Sequence, residues 1–167
     1  NQGLSWDRVA ELTADAYRRV APSRLSKTAQ AVAIKAPTEV MTAEKINPLL
    51  SKGNQSLINK LGKLCLKLPE VGEHAQFGNP CFKAGKKTFC IIYLRDNLPQ
   101  LQVWVGSDRQ LELTSFDQRF HIPPYSGHNG WIDLALAKKP DWQEIENLLL
   151  QSYKHFALKR MITALDQ

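Results

Sequence analysis

From Cys81 to Val105 strand-forming runs are separated by two turns, and the last of them, Leu101 to Val105, alternates with a period of two, which commits the middle of the chain to antiparallel β-structure. Cys81-Phe82-Lys83 runs into Ala84-Gly85-Lys86, and Lys87 to Leu94 runs back, which predicts a hairpin with a short glycine turn. Asn97-Leu98-Pro99 makes the next turn. Leu101-Gln102-Val103-Trp104-Val105 then sends one set of side chains inward and the other outward. Residues 108–116 read as a short helical connection. Trp131-Ile132-Asp133-Leu134-Ala135-Leu136, after Asn129-Gly130, reads as a further strand.

A sheet with one apolar face needs a cover, and three amphipathic segments are candidates. Residues 5–20 predict a helix capped by Ser5, with Trp6, Val9, Leu12, Ala16 and Val20 on one face and Pro22 as the stop. Residues 56–67 predict a second, capped by Ser56. Its stripe is Leu57, Ile58, Leu61, Leu64, Cys65 and Leu68, and Pro69 ends it. The last begins at Asp141, which forms a capping-box variant with Glu144, and carries Trp142, Ile145, Leu148, Leu149 and Phe156 on one side.

The stretch between the first two helices carries Pro22, Pro37, Pro48 and Gly53 among Ala, Ser, Thr and Lys, a linker composition. Ala31-Val32-Ala33-Ile34 predicts a short strand or docking segment, and Val40-Met41, Ile46, Leu49 and Leu50 are further apolar docking points. A structureless loop of this length is unusual inside a compact domain. We therefore divide the chain into an N-terminal helix at 1–25, a linker at 26–54 and one domain at 55–167.

The net charge is +6, and all of it lies in one stretch. Residues 21–67 hold eight bases and two acids, whereas residues 1–20 and 68–167 are each balanced. A basic stretch attracts phosphates by counterion release, although lysines this sparse also simply keep a linker in solution. With 43% hydrophobic residues the chain is not disordered, and no apolar run approaches the roughly 18 residues of a membrane helix. Cys65, Cys81 and Cys90 are odd in number and fit no metal spacing, which points to a reducing, cytosolic compartment. The start at Asn1-Gln2-Gly3 reads as that of a fragment or processed chain.

The first and last helices superpose at an offset of 136 residues. Trp6 falls on Trp142, Leu12 on Leu148, Tyr17 on Tyr153, Ala21 on Ala157 and Arg24 on Arg160. Two amphipathic helices share a period in any case, but these identities predict that residues 1–25 are the tail of a preceding copy of the domain. A helix so orphaned must bury its face on its own domain, on a tandem copy, or in a dimer.

Residues 57–161 resemble the YjbR/MmcQ-like family of small bacterial domains. The resemblance rests on Leu68-Pro69-Glu70-Val71, Phe77-Gly78-Asn79-Pro80-Cys81-Phe82-Lys83, Gly85-Lys86-Lys87 before Phe89, Ile122-Pro123-Pro124-Tyr125 ahead of Trp131-Ile132, and Ser152-Tyr153. Their order and spacing carry it, since none is specific alone. It implies an α+β fold, an antiparallel β-sheet with helices packed on one face, similar to the frataxin-like arrangement. It also implies DNA binding by a wing-like β element. Iron chemistry of the frataxin kind needs an acidic ridge and does not carry over, because the first helix of the domain bears Lys60, Lys63 and Lys67.

For nucleic acid, the candidate residues are Lys83, Lys86 and Lys87 around the hairpin turn, the helix lysines Lys60, Lys63 and Lys67, and Arg95 and Arg119 at sheet ends. Tyr125, opening a proline-rich loop, can stack on a base. A pocket walled by Trp104, Tyr125 and Trp131 is the rival site, for a small molecule or a protein. His74, His121, His128 and His155 lie in no ligand or catalytic pattern, and the neighbours Glu73 and Asp117 do not alter that. Cys81 and Cys90 are placed opposite each other on the hairpin as inert thiols. The expectation is a cytoplasmic, non-enzymatic binding module without cofactor or metal, with DNA as the leading partner. The rivals are an interaction domain working through aromatic rings and an adaptor with no ligand of its own.

Overall fold

A computed structural model describes residues 3–36, 38, 41–136 and 139–165, so the docking residue Val40 lies outside the described set. The chain divides into two compact units, Asn1–Met41 and Thr42–Gln167. In the first, α1 (Trp6–Val20) is capped by the Ser5 hydroxyl, which accepts from the Arg8 amide. A short α2 (Ser23–Ser26) follows. Of the strand and the docking segment read at residues 31–34, the strand does not form, and irregular residues 29–34 line a groove with Ala10, Thr13, Ala14 and Tyr17 of α1.

The second unit opens with α3 (Ala43–Ile46), a 3-10 turn at Pro48–Leu50, and α4 (Lys52–Cys65). Residues 42–54, read from sequence as linker, belong to this unit. The reason is local. Leu49 is buried in the core, and Asn54 and Gln55 donate side-chain hydrogen bonds to Pro48 O and Leu49 O, both at 2.8 Å. The helix therefore starts one turn earlier than expected, capped by Ser51 rather than Ser56.

A six-stranded antiparallel sheet follows, in the order β1-β2-β3-β4-β6-β5. Its strands are β1 (Val71–Gln76), β2 (Asn79–Ala84), β3 (Lys87–Arg95), β4 (Leu98–Trp104), β5 (Phe120–His121) and β6 (Trp131–Ala135). Between β4 and β5 lies α5 (Ser107–Phe116). The chain closes with α6 (Trp142–Phe156) and α7 (Lys159–Thr163). The α+β class and the helix-backed antiparallel sheet are as the resemblance implied. Among the described residues no helix is long and apolar enough to cross a membrane.

Helices α4 and α6 cover one face. Gly62 of α4 presses against the Phe82 ring, where an added Cβ would stand 3.4 Å from it, and Phe89 meets Tyr153 of α6 edge-on. Phe82, Phe89, Cys90, Ile92, Leu101, Val103, Ile132, Ile145 and Leu149 are buried there as one cluster. Burying such side chains is the main favourable term of folding, at about 1.5–3 kcal/mol each.

The Ser152-Tyr153 pair explains its place in the family pattern. Ser152 Oγ donates to Phe89 O at 2.5 Å and accepts from Trp104 N at 3.0 Å, joining β3 and β4 where their ladder ends. The Tyr153 hydroxyl donates to Pro69 O at 2.8 Å. Arg160 grips Glu70 with two bonds, at 2.9 and 2.6 Å, and holds that carboxyl below its usual range. Leu68-Pro69-Glu70 is thus a docking point for the C-terminal helices.

Two expectations are corrected by register and pairing. Cys81 lies opposite Ile91 and Cys90 opposite Phe82, so the two cysteines face opposite sides of the sheet. Cys90 approaches Cys65 instead, and burial first, then that neighbour, pushes its thiol well up. At α6, Asp141 accepts from the Gln143 and Glu144 amides, but the Glu144 carboxylate is engaged by Arg119 rather than closing a capping box.

Candidate functional site

The face of the sheet opposite α4 and α6 carries a second set of side chains. Residues paired across antiparallel strands point to the same side. The register therefore lays His74, Cys81, Ile91, Gln102, Asp133 and His121 in one row across all six strands. Tyr93 and Gln100 lie in the adjacent row. Asp133 is fully buried at 0% exposure. Tyr93 donates its hydroxyl to one carboxylate oxygen, and Gln102 Nε2 donates to the other at 2.9 Å. Burial raises the Asp133 carboxyl above its ordinary value, against the opposing pull of the donors Tyr93 and Gln102 and of the charges of Arg95 and His121. Burial and then Asp133 push the Tyr93 phenol up. The trio is a locked platform.

A loop folds over this platform. Its anchor is Gly130, at φ +81°, whose carbonyl accepts from the Val105 and Gly106 amides at 2.9 and 3.1 Å. An added Cβ there would stand 2.8 Å from the Gly106 backbone, so only glycine fits. Gln110 Nε2 donates to Gly127 O and Trp131 O at 2.6 and 2.7 Å, tying α5 to the same loop.

Between loop and sheet lies a cavity of about 360 Å³. Ile91, Tyr93 and Gln102 line it from the sheet, Gln76, Phe77 and Asn79 from the β1–β2 turn, and Pro123 to Ser126 from the loop. The two halves of the family pattern, Phe77-Gly78-Asn79 and Pro123-Pro124-Tyr125, meet here. Phe77 is 95% exposed and Tyr125 90%, so each presents nearly a whole ring to solvent. Phe77 also sits at φ +51° and Gly78 at +76°. Left-handed backbone at both turn positions favours Asn-Gly, and a bulky residue at the first costs of order 1 kcal/mol. The β3–β4 turn makes the same bend with Asp96 and Asn97, at φ +52° and +61°, residues suited to it.

The sequence candidates are divided by this geometry. Tyr125 lies on the cavity rim. Lys83 pairs with Gly72 and Thr88 and belongs to the same face as Cys81. Arg95, at the end of β3, acts electrostatically on Tyr93 and Asp133. Lys86 is exposed at the hairpin turn, and burial first, then the charge of Lys87, opposes protonation of His155. Among the described residues Lys83, Lys86 and Lys87 form no ion pair.

Lys60 and Lys63 sit on α4, in the helix layer away from the cavity, with Lys67 just past its end. The Lys60 ammonium is 3.7 Å from the centre of the Trp142 ring. Arg119 is held by Asp117 and Glu144, with contacts of 2.6 and 2.8 Å, which removes it from the phosphate-facing set.

Trp104 and Trp131 do not wall the Tyr125 cavity. Trp104 stacks on His155 with ring centres 3.5 Å apart, and its Nε1 donates to Asn129 O. Trp131 stacks on Phe156 at 5.4 Å. Among the described residues no three His, Cys, Asp or Glu side chains gather as a metal site. Residues the sequence reading left out of the site are Phe77, Tyr93, Gln102 and Asp133. Asp133 had a signal, a lone acid in an otherwise apolar strand.

An open antiparallel sheet backed by helices, with an aromatic-rimmed cavity on its opposite side, defines a small binding-type domain. A YjbR family model matches residues 66–155, more than half of the chain, and the chain belongs to the YjbR family. Among solved structures it is similar to Deinococcus radiodurans protein DR2400, which carries a DUF419 domain. The TM-score is 0.54 at 19% identity, covering 65% of this chain and 87% of that one. That likeness is one of fold. No curated protein matches the chain.

Proposed function

We propose that this domain is a non-enzymatic nucleic-acid-binding module whose open sheet face takes unpaired bases. The observation that carries the reading is the pair of exposed rings, Phe77 and Tyr125, on the rim of one cavity. An exposed ring held on a strained turn gains nothing for the fold, and exposed apolar surface of this kind marks an interaction site. Base–aromatic stacking contributes about 1–3 kcal/mol per base and tolerates any sequence. The amides of Gln76, Asn79 and Gln102 line the same cavity, and the donor and acceptor positions left over from their internal bonds would meet base edges. Lys83, Lys86 and Arg95 supply cations for the phosphates, whereas Lys60 and Lys63 face another layer. This favours a single strand over the duplex that a wing would grip.

The test is fluorescence anisotropy with a labelled single-stranded oligonucleotide and its duplex over a salt series. The single strand should bind more tightly, with affinity falling as salt rises. Tyr125→Ala and Phe77→Ala should each weaken it about tenfold, equivalent to about 1.4 kcal/mol. Arg119→Ala should leave it unchanged. Absence of binding at low salt, or indifference to both ring substitutions, refutes the reading. The balanced charge of residues 68–167 favours a second reading, a small planar ligand in the same cavity. That ligand would depend on the rings but not on salt.

A further inference from the structure

We infer that α1 and α2 are the C-terminal cap of a preceding YjbR domain in the same polypeptide, and that the bare face of α1 seats on the helix side of that domain's sheet. The argument starts from conformation. Both α1 and α6 are 15 residues long, and both begin at a Trp after a capping Ser or Asp. Both end at an Ala with nearly the same backbone, φ −73° and ψ 147° at Ala21, φ −67° and ψ 148° at Ala157. In each the Ala amide donates back to a tyrosine carbonyl, Tyr17 O at 2.9 Å and Tyr153 O at 2.8 Å.

The agreement continues past the helices at the same offset of 136 residues. Pro22 O accepts from Leu25 N and Ser26 N at 2.8 and 3.0 Å. Leu158 O accepts from Met161 N and Ile162 N at 2.9 and 3.1 Å. A shared helical period explains matching stripes within one helix. It does not explain the same stop, the same one-residue step and the same second short helix.

Burial is where the copies part. In α6, Ile145, Leu148, Leu149, Ser152 and Tyr153 are buried against the sheet, and Met161 of α7 is at 0% exposure beside Gly85. Their counterparts are Val9, Leu12, Thr13, Ala16, Tyr17 and Leu25. Of these Leu12 is 42% exposed, Tyr17 46%, and Thr13 and Ala16 are also exposed. Segment 29–34 lies along α1 beside the buried Ala10 and Ala14 and lines a groove with Thr13 and Tyr17, yet Leu12, Thr13, Ala16 and Tyr17 all remain exposed. A helix carrying the sheet-seating residues of α6 fits one occupant, the sheet α6 itself recognises. The present sheet already holds its own α6, so the vacancy belongs to another copy. One difference has a consequence: Ala16 replaces Ser152, so the upstream copy must close its β3–β4 ladder without a bridging hydroxyl.

The experiment uses the full polypeptide as encoded. Its coding sequence upstream of Asn1 should hold a YjbR pattern, with a Pro-Pro-Tyr-like turn 136 residues ahead of Pro123. Hydrogen exchange on that polypeptide should show α1 protected as strongly as α6, and in the 167-residue chain alone much faster exchange in α1. Leu12→Asp with Tyr17→Asp should lower the melting transition of the upstream copy and leave that of the downstream copy in place. Arg8→Ala, on the polar side, should change neither. An unrelated upstream sequence, equal protection of α1 in both proteins, a dimer of the short chain sealed through α1, or a double variant without effect would each overturn the inference.

Discussion

The two faces of the sheet follow opposite rules. On the helix side every strand contributes apolar side chains, and the polar groups there, Ser152 and Tyr153, bond to backbone at strand ends. On the open side a carboxylate is buried with its donors, a bulky residue is held at positive φ, and two rings stand in water. The first pattern is what stability selects. The second spends stability locally, as binding surfaces commonly do. The difference assigns the family's sequence pattern to two tasks: Leu68-Pro69-Glu70 and Ser152-Tyr153 to assembly, Phe77-Gly78-Asn79 and Pro123-Pro124-Tyr125 to the cavity.

The most severe way to break this comparison is to hollow out the helix side. Phe82 is fully buried under Gly62 of α4, and Phe82→Ala should cost about 3–5 kcal/mol in chemical denaturation. A loss under about 1 kcal/mol would mean that the α4 contact does not carry the fold.

The helix side was also the legible one. The strand-forming runs over 81–105, the alternation at 101–105 and the amphipathic stripes contain it, because burial on one face writes a period into the sequence. Strand β1 was not legible: Val71-Gly72-Glu73-His74-Ala75-Gln76 has no such period and is a strand only because β2 pairs with it. Of the open face, sequence reasoning reached Tyr125 and the hairpin lysines, since exposed aromatics and cations are recognisable by type. It misplaced Trp104 and Trp131, whose partners His155 and Phe156 are distant in sequence, and Arg119, which nearby Asp117 and distant Glu144 hold together. Phe77 was quoted only as family pattern, although Phe-Gly where Asn-Gly is the norm for a tight turn was itself a sign.

A gentler probe asks what the buried carboxylate costs. Tyr93→Phe removes one donor to Asp133 and should destabilise by about 1–3 kcal/mol. The pH dependence gives an independent handle. Burial holds the Asp133 carboxyl above its ordinary 3.8 in the folded state, so the unfolded chain gives up this proton first as pH rises. The stability contributed by protonated Asp133 is therefore complete below the unfolded value and lost as pH climbs through the folded one. Asp133→Asn should abolish that decline, as read from urea midpoints across the acid range. If the wild-type decline persists in Asp133→Asn, the open face carries no such cost.

The smallest expected effect on stability sharpens the contrast most. At Phe77 the demands of the turn and of the proposed site conflict, while at Asp96-Asn97 the same left-handed bend is made by residues suited to it. Phe77→Asn restores the favoured Asn-Gly turn and removes an exposed ring, so it should stabilise the domain by about 0.5–1 kcal/mol. The same change should weaken oligonucleotide binding about as much as Tyr125→Ala. Asp96→Asn, at the turn that carries no such conflict, should alter stability by less than about 0.5 kcal/mol and leave binding untouched. A destabilised Phe77→Asn would mean that the ring contributes to the fold after all, and the division of labour between the two faces would fail at the residue where it is drawn most sharply.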